Sequence, residues 1–366
     1  MRSVRKLKNV KGKTAIVRVD FNVENPADSI RIERALPTIT FLKKKGLKVV
    51  LLSHRGQPKG KIVSDLSLRS MLPFLHQHLG EVKFFENYDF TKSRPDIVRA
   101  KPGSVFLFEN IRFQPEEEAN DPAFAIALAG LGDLYVNEAF ASCHRSSVSL
   151  TVLPTLLPAY AGLLLEKEII QLTNIMKHPK QPLIVVLAGG KAADKFAVIE
   201  NLYHRTKFFL IGGVLANTFF KAKGMAVDAS IIDENLLSMV KPYLQDPKIV
   251  LPMDWRSSGL GKILDLGPFS VEHYTDIMKT AGTVIWNGPM GHFETPEFAV
   301  GTEAIARAVA KTKAFTVVGG GETTQVILEL HLEKKIDFLS TGGGAMLAFL
   351  AGKTLPGLEA LSTNNK

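Results

Sequence analysis

At 366 residues the chain is longer than one hydrophobic core ordinarily serves, so two domains are expected. A hydrophobic content of 46% excludes a disordered polymer, and one cysteine, Cys143, excludes an internal disulfide framework or a multi-cysteine metal cage. The formal charge of +9 is spread along the chain rather than bunched in a basic run, which favours small anionic partners over nucleic acid.

The basic start MRSVRKLKNVKGK is followed by no signal-peptide apolar region, and no apolar run reaches membrane-spanning length unbroken. A cytoplasmic location is expected. The first half then reads as strands alternating with helices, with polar groups where each strand ends. TAIVRVDFN ends in Asp20 and Asn22, which share a strand face at period two. Just beyond, Arg31 begins a helical stretch, RIERALPTITFLKKKG. KVVLLSHRG delivers Ser53, His54 and Arg55; SVFLFENIRF delivers Glu109, Asn110 and Arg112; LYVNEAFASCHR delivers Asn137, Glu138, His144 and Arg145. In a parallel sheet these strand ends share one edge, and arginine forks there match carboxylate or phosphate oxygens. The first half is suited to a small phosphorylated acid.

LLLEKEIIQLTNIMKH (163–178) reads as a helix stopped by Pro179 and Pro182, and is the expected connector. The second half repeats a short apolar run ending in glycine five times: PLIVVLAGGK (182–191), KFFLIGG (207–213), TVIWNGPMG (283–291), AFTVVGGGE (314–322) and DFLSTGGG (337–344). One such glycine is ordinary turn punctuation; five on one sheet edge form a cradle where phosphates approach backbone N–H groups and helix N-termini. Gly352-Lys353-Thr354 imitates the end of a P-loop, but Leu347 stands where its leading glycine belongs. No G-x-G-x-x-G follows a strand, so the glycine fingerprint is missing and a dinucleotide fold has no direct support. The final LPGLEALSTNNK is too short for a domain and must pack on one already formed.

Lys191 and Lys195 stand four apart at the start of a helix, where like charges repel and both oppose the dipole. A polyphosphate reverses both penalties, against the plainer reading of two solvated surface lysines. Glu322, after Gly319-Gly320-Gly321, is either a dipole-favoured carboxylate or a Mg²⁺ contact beside phosphates. His54 and His144 lack a nucleophile and acid in a recognisable arrangement, so hydrogen bonding to an anion or a structural role is expected before proton transfer. Cys143 beside His144 is discounted as a nucleophile pair, because adjacent side chains do not usually face each other.

These segments resemble the phosphoglycerate kinase family over nearly the whole chain. The matching stretches are RVDFNV (18–23), SHRGQPKG (53–60), ENIRFQPEEE (109–118), NEAFASCHR (137–145), GGKAADK (189–195), WNGPMGHFE (286–294), VVGGGETT (317–324) and STGGGAMLAFLAGKTLPGLEAL (340–361). The resemblance implies an α/β fold of two Rossmann-like parallel-sheet domains. Residues 1–162 would bind 3-phosphoglycerate, 163–178 would form the connecting helix and hinge, 179–345 would bind the nucleotide, and 346–366 would return to the N-terminal domain. It implies phosphoryl transfer between ATP and the carboxyl group of 3-phosphoglycerate, giving ADP and 1,3-bisphosphoglycerate, with Mg²⁺ accompanying the nucleotide and the domains closing during turnover. A monomer is expected, with no nucleic-acid or membrane partner.

Carried over residue by residue, the resemblance assigns Asp20, Phe21, Asn22, Arg31, His54, Arg55, Gly56, Gln57, Arg112 and Arg145 to the 3-phosphoglycerate side. It assigns Gly190, Lys191, Lys195, Gly212, Gly213, Asn287, Gly288, Pro289, Glu294, Gly320, Gly321, Glu322 and Thr323 to the nucleotide, with Glu322 also meeting the metal. Arg31, Lys195, Gly343 and Gly344 are the expected catalytic groups. The chain departs from the family pattern in several places. H-x-G-R-P reads His54-Arg55-Gly56-Gln57-Pro58, with Arg55 a candidate to compensate for Gln57; H-R-x-H reads His144-Arg145-Ser146-Ser147; GGGDT carries Glu322; and the loop 24–30 is short. The rival readings are a non-catalytic nucleotide-binding scaffold on this fold and a kinase for another phosphorylated acid.

Overall fold

A computed structural model of the protein describes residues 1–23 and 30–363; the loop 24–30, apart from Ile30, lies outside the described residues. The chain forms two compact units, Met1–Ile170 with Thr354–Lys366, and Gln171–Lys353. The helix Leu163–Lys177 contains the passage from the first unit to the second.

In the first unit the strands are β1 (Thr14–Arg18), β2 (Lys48–Leu52), β3 (Val82–Phe85), β4 (Val105–Phe108), β5 (Leu134–Asn137) and β6 (Ala159–Ala161). They lie in the order β3-β4-β2-β1-β5-β6, every pair parallel. β1 and β2 are buried along their whole length, as expected of central parallel strands covered on both faces. The core includes Val17, Val49, Leu51 and Val136 from the strands, and Ile32, Ile39 and Leu42 from the helix Ile30–Lys44. Burying one such side chain contributes about 1.5–3 kcal/mol.

The second unit contributes β7 (Leu183–Leu187), β8 (Phe208–Ile211) and β9 (Ile249–Val250), then a separate antiparallel hairpin, β10 (Trp255–Ser257) and β11 (Ile263–Leu266). β12 (Thr283–Asn287), β13 (Phe315–Gly319) and β14 (Phe338–Ser340) follow. The parallel order β14-β13-β12-β7-β8-β9, counted along the unit, is the 3-2-1-4-5-6 order of the dinucleotide-binding fold. The missing glycine fingerprint therefore concerned one loop's chemistry and not the sheet. All five glycine segments leave carboxyl ends of strands of this one sheet, as the repeated motif implied.

Two polar groups expected at the ligand edge of the first unit are committed to structure instead. Glu138 is 1% exposed, and its carboxylate accepts from Leu164 N at 3.0 Å, Leu165 N at 3.2 Å and the Thr38 hydroxyl. It caps the helix Leu163–Lys177, and Gly162 makes room, since a Cβ there would lie 1.9 Å from Glu138 Oε2. Burial pushes its carboxyl up to about 7. Glu109 accepts from Leu68 N at 2.7 Å and the Ser67 hydroxyl at 2.6 Å, holding the loop after β2. The closing helix Pro356–Thr363 belongs to the first unit, where Gly357 N donates to Cys143 O at 3.0 Å.

Candidate active site

In an open parallel sheet the ligand crevice lies where the strand order reverses. In the second unit that point falls between β7 and β12, and the two loops leaving it pack backbone against backbone. A Cβ on Gly288 would lie 1.8 Å from Ala188 O, so no other residue permits this approach. Thr323 and Asn287 then tie neighbouring loops together. Gly288 N donates to Thr323 Oγ1 at 2.8 Å, and Asn287 Nδ2 donates to Gly319 O at 2.7 Å. Both side chains are buried, as are Gly212 and Pro289, so these four expected nucleotide contacts shape the crevice wall.

Three helices start along this edge, Ala192–Leu202, Gly213–Ala222 and Gly321–Glu329, and none has a side-chain N-cap. Their first N–H groups are donors of the kind anions bind. Gly190 and Gly321 stand at this edge with no φ in the left-handed region and no atom within 4 Å of a built Cβ. Nothing in the packing of the described residues asks for glycine at either place. Gly343, at φ 45°, also has empty space beside it, directly before Gly344 at the start of Gly344–Leu350.

Lys191 caps its helix in a left-handed conformation, φ 48°, an unfavourable state for a side chain of this size. Lys195 is 4% exposed, donates to Gly190 O, and forms no ion pair among the described residues. Burial lowers its ammonium to about 8, against the pull of Glu322 and Asp194 and with the help of Lys191. This buried cation, beside uncapped helix ends, has no ion-pair partner among the described residues. Gly320 lies between Asn287 and Thr323, while Glu322 and Glu294 are exposed and line a cavity of about 230 Å³ with Gly189, Gly190 and Gly213. Its inner wall was not foreseen: Asn217 and Phe220 from the helix Gly213–Ala222, and Trp255 and Leu264 from the β10–β11 hairpin. The signal available was the spacing Gly213, Asn217, Phe220, which puts all three on one helix face.

In the first unit, four arginines act on one histidine. His54, 3% exposed, is held well below the usual histidine range by burial first, then by Arg18, Arg112, Arg145 and Arg31. Arg18 NH2 lies 3.0 Å from His54 Nδ1 and can only donate, so Nδ1 accepts and the ring proton sits on Nε2. His54 is thus a neutral ring with its donor at Nε2. Arg18 was missed by the sequence reading, although a charge inside an apolar strand, two residues before Asp20 on the same face, was the sign. Its Nε donates to Ser149 Oγ at 2.9 Å, and Ser149 Oγ in turn donates to buried Glu117 at 2.6 Å.

Asp20 pairs with Arg31 at 3.7 Å and accepts from Asn22 N at 3.1 Å, and Arg31 also donates to Asn22 O at 3.2 Å. Asn22 Oδ1 accepts from Gly56 N at 2.8 Å, and Arg112 donates to Gly56 O at 2.8 Å. Arg112 sits 3.4 Å from Glu118 and is lowered to about 10 by burial, then by Arg145 and Arg18. Arg145 is half-buried and forms no ion pair among the described residues. Phe21 is a core side chain with no exposure, so only its backbone can face a ligand. Arg55 does not replace the arginine missing at Gln57: it donates to Val23 O at 2.9 Å and Ser70 Oγ at 3.1 Å, while Gln57 stays exposed. Ser147 donates to Glu117 at 2.6 Å, deep in the Arg18 network. Burial pushes the Cys143 thiol up to about 12, which favours the protonated thiol beside His144.

The phosphoglycerate kinase family model matches residues 4–353. The chain belongs to the phosphoglycerate kinase family. It is 41% identical over 381 residues to the phosphoglycerate kinase of Roseiflexus sp. (strain RS-1), and 41% identical over 379 residues to that of Moorella thermoacetica, covering 96% of each chain in both comparisons. Among solved structures, phosphoglycerate kinase from Pyrococcus horikoshii OT3 superposes with a TM-score of 0.87 at 32% identity, and that from Coxiella burnetii with 0.84 at 33%. Each of these covers 100% of this chain and 99% of the other.

Proposed function

We infer that the protein transfers a phosphoryl group between ATP and the carboxyl group of 3-phosphoglycerate, the phosphoglycerate kinase step of glycolysis. Family membership carries the activity. The observation that carries its placement is Lys195, a buried cation without an ion-pair partner among the described residues, beside three uncapped helix starts.

In this reading the second unit holds the nucleotide. Lys191, Lys195, Gly190, Gly320, Gly321 and the N–H groups of Gly343 and Gly344 meet its phosphates, and Glu294 meets the ribose. The first unit holds the acceptor. His54 Nε2–H, Arg31, Arg112 and Arg145 bind its carboxylate and phosphate, while Asp20 and Asn22 orient Arg31 and the Gly56 turn. The acceptor's carboxylate oxygen attacks the γ-phosphorus, the bond to the β-phosphate oxygen breaks, and ADP departs with that electron pair. A carboxylate is already a nucleophile, so no general base is required, in agreement with a neutral His54 that donates. The task left to the protein is positioning and stabilising charge on the moving phosphoryl oxygens. Lys195, Arg31 and the Gly343–Gly344 amides do this.

No cluster of three His, Cys, Asp or Glu capable of holding a metal occurs among the described residues. Glu322 alone fits a Mg²⁺ carried mainly by phosphate oxygens, the usual arrangement for this ion. Bound there, Mg²⁺ would neutralise phosphate charge during transfer. A scaffold has no use for four arginines gathered on one buried histidine. The test is a coupled assay: ADP should form from ATP only when 3-phosphoglycerate and Mg²⁺ are both present. Nucleotide binding with no turnover on 3-phosphoglycerate refutes the reading.

A further inference from the structure

The parallel strands of the first unit begin at the edge of the sheet opposite His54 and Arg112, a strand length of roughly 17 Å away. Three segments meet at that edge. Gly12 N donates to Gly46 O at 2.9 Å and Lys48 N to Lys13 O at 2.9 Å, joining 11–13 to 43–48. Gly103 N donates to Leu47 O at 3.1 Å, which adds 99–104. The first segment brings Lys11 and Lys13, the second Lys43, Lys44, Lys45 and Lys48, and the third Arg99 and Lys101. None of these eight cations forms an ion pair among the described residues, and the three segments contain no Asp or Glu. Along the sequence this charge is dispersed; the sheet gathers it, because β4, β2 and β1 are neighbours.

Helix capping accounts for part of the charge. Lys43 Nζ donates to Leu79 O at the end of the helix Leu72–Leu79, and Lys48 Nζ to Val98 O at 3.2 Å near the end of the helix Phe90–Arg99. With Ile30–Lys44, three helices end here, each carrying about half a negative charge against the eight cations. Two carboxylates stand nearby: Asp133, which accepts from Thr14 N at 2.7 Å, and Glu81, in a recess of about 510 Å³ shared with Lys43 and Arg99. The excess positive charge repels itself, and an anionic surface reverses that sign.

The side chains indicate which anionic surface. Seven of the eight cations are lysines, point charges on flexible stems, whereas base edges are read by the planar fork of arginine. The three segments carry no aromatic ring on which a base could stack. An apolar border is present instead. Arg99 also lines a groove between the helices Phe90–Arg99 and Pro122–Ala129, together with Arg94 and with Val98 and Ile126, each 65% exposed. The second of these helices, PAFAIALA, has no polar side chain to present to water. Cations bordered by exposed aliphatic groups match a bilayer interface, where headgroups meet the ends of acyl chains.

We propose that this edge of the first unit docks on an anionic lipid membrane, its lysines meeting the headgroups and Val98 and Ile126 entering the interface at the border. Docked so, the unit turns the edge bearing His54 and Arg112 away from the lipid.

The test is flotation of the full-length chain with vesicles of phosphatidylglycerol and phosphatidylcholine in equal parts, against vesicles of phosphatidylcholine alone. The chain should float with the first and not the second, and raising ionic strength from about 0.05 M to about 0.5 M should release most of it. A lysine near an anionic surface contributes roughly a fivefold change in affinity, so Lys11→Glu, Lys13→Glu, Lys44→Glu and Lys45→Glu together should weaken binding by about a hundredfold or more and leave turnover unchanged. If that variant fails to fold, Lys44→Gln with Lys45→Gln, both exposed, should still cost roughly twentyfold. Lys311→Glu, Lys313→Glu, Lys334→Glu and Lys335→Glu change the net charge equally at exposed positions of the second unit and should leave binding as it was. Val98→Ser with Ile126→Ser should lower the binding that survives high salt. Absence of flotation with the anionic vesicles overturns the proposal, as does an equal loss in the second-unit variant, which would report net charge alone. Binding to polyuridylate RNA without binding to the vesicles also overturns it and assigns the edge to nucleic acid.

Discussion

Gly321→Ala separates what the fold needs from what a ligand needs. Gly321 is the first residue of the helix Gly321–Glu329; it is exposed, its φ is outside the left-handed region, and a Cβ there meets no atom within 4 Å. A methyl group therefore strains nothing. Replacing glycine where alanine fits reduces the freedom of the unfolded chain and stabilises by about 0.4–1 kcal/mol. For a unit the size of Gln171–Lys353, each 1 kcal/mol shifts Tm by roughly 2–4 °C, so the ligand-free variant should melt at or slightly above the unaltered protein. Nucleotide binding should move the other way. The methyl occupies the space through which a phosphate oxygen reaches the backbone N–H, and a charge-assisted hydrogen bond contributes about 1.5–3 kcal/mol, or roughly a tenfold to 150-fold change in Kd. Thermal melting followed by calorimetry with Mg²⁺ and ADP gives both numbers. Gly213→Ala is the contrast: at φ 56°, with a built Cβ 2.5 Å from Gly189 N, it should lose stability itself. A Gly321→Ala protein that melts normally and binds ADP with unchanged affinity refutes the phosphate cradle.

Lys195→Ala should lower kcat by about a hundredfold or more, the effect of losing about 3 kcal/mol of stabilisation, while nucleotide binding weakens much less; equal kcat in the folded variant removes Lys195 from catalysis. With Lys195 lowered to about 8 from 10.5, the unfolded chain holds this proton between those pH values and the folded free protein does not. Its contribution to stability therefore rises with pH across that window, while kcat/KM for ATP falls above about pH 8, as steady-state rates and melting over pH 7–10 would show; an alkaline limb missing in the unaltered protein counts against the cationic role. Gln57→Arg should lower KM for 3-phosphoglycerate and leave KM for ATP nearly unchanged, because Gln57 is exposed and Arg55 is held by Val23 and Ser70. An unmoved KM would mean that position 57 does not reach the acceptor.

Local pattern was enough for the parallel α/β class, the connector helix and the five glycine loops. Fully buried parallel strands are continuous apolar runs, and a glycine after each is visible in a few consecutive residues. The positions of Lys195, just after a glycine segment, and of Arg31, in the first turn of the helix Ile30–Lys44, were visible in the same way. Other features required the folded chain. The polar residues at strand exits look alike in sequence, yet Glu138 caps a helix through Leu164 and Leu165, and Glu109 holds the loop at Ser67 and Leu68, while Arg112 and Arg145 act on His54. Arg18 fixes the proton of a histidine 36 residues away, and Ser149, 131 residues away, supports it from the other side. Asn217 has an ordinary helical neighbourhood, and only the hairpin of Trp255 and Leu264 turns its face into a wall. Periodicity reports which side of an element is buried, because that depends on residues two to four apart. Which buried polar group meets which partner depends on strand order and loop packing, and those contacts join segments the local pattern cannot connect.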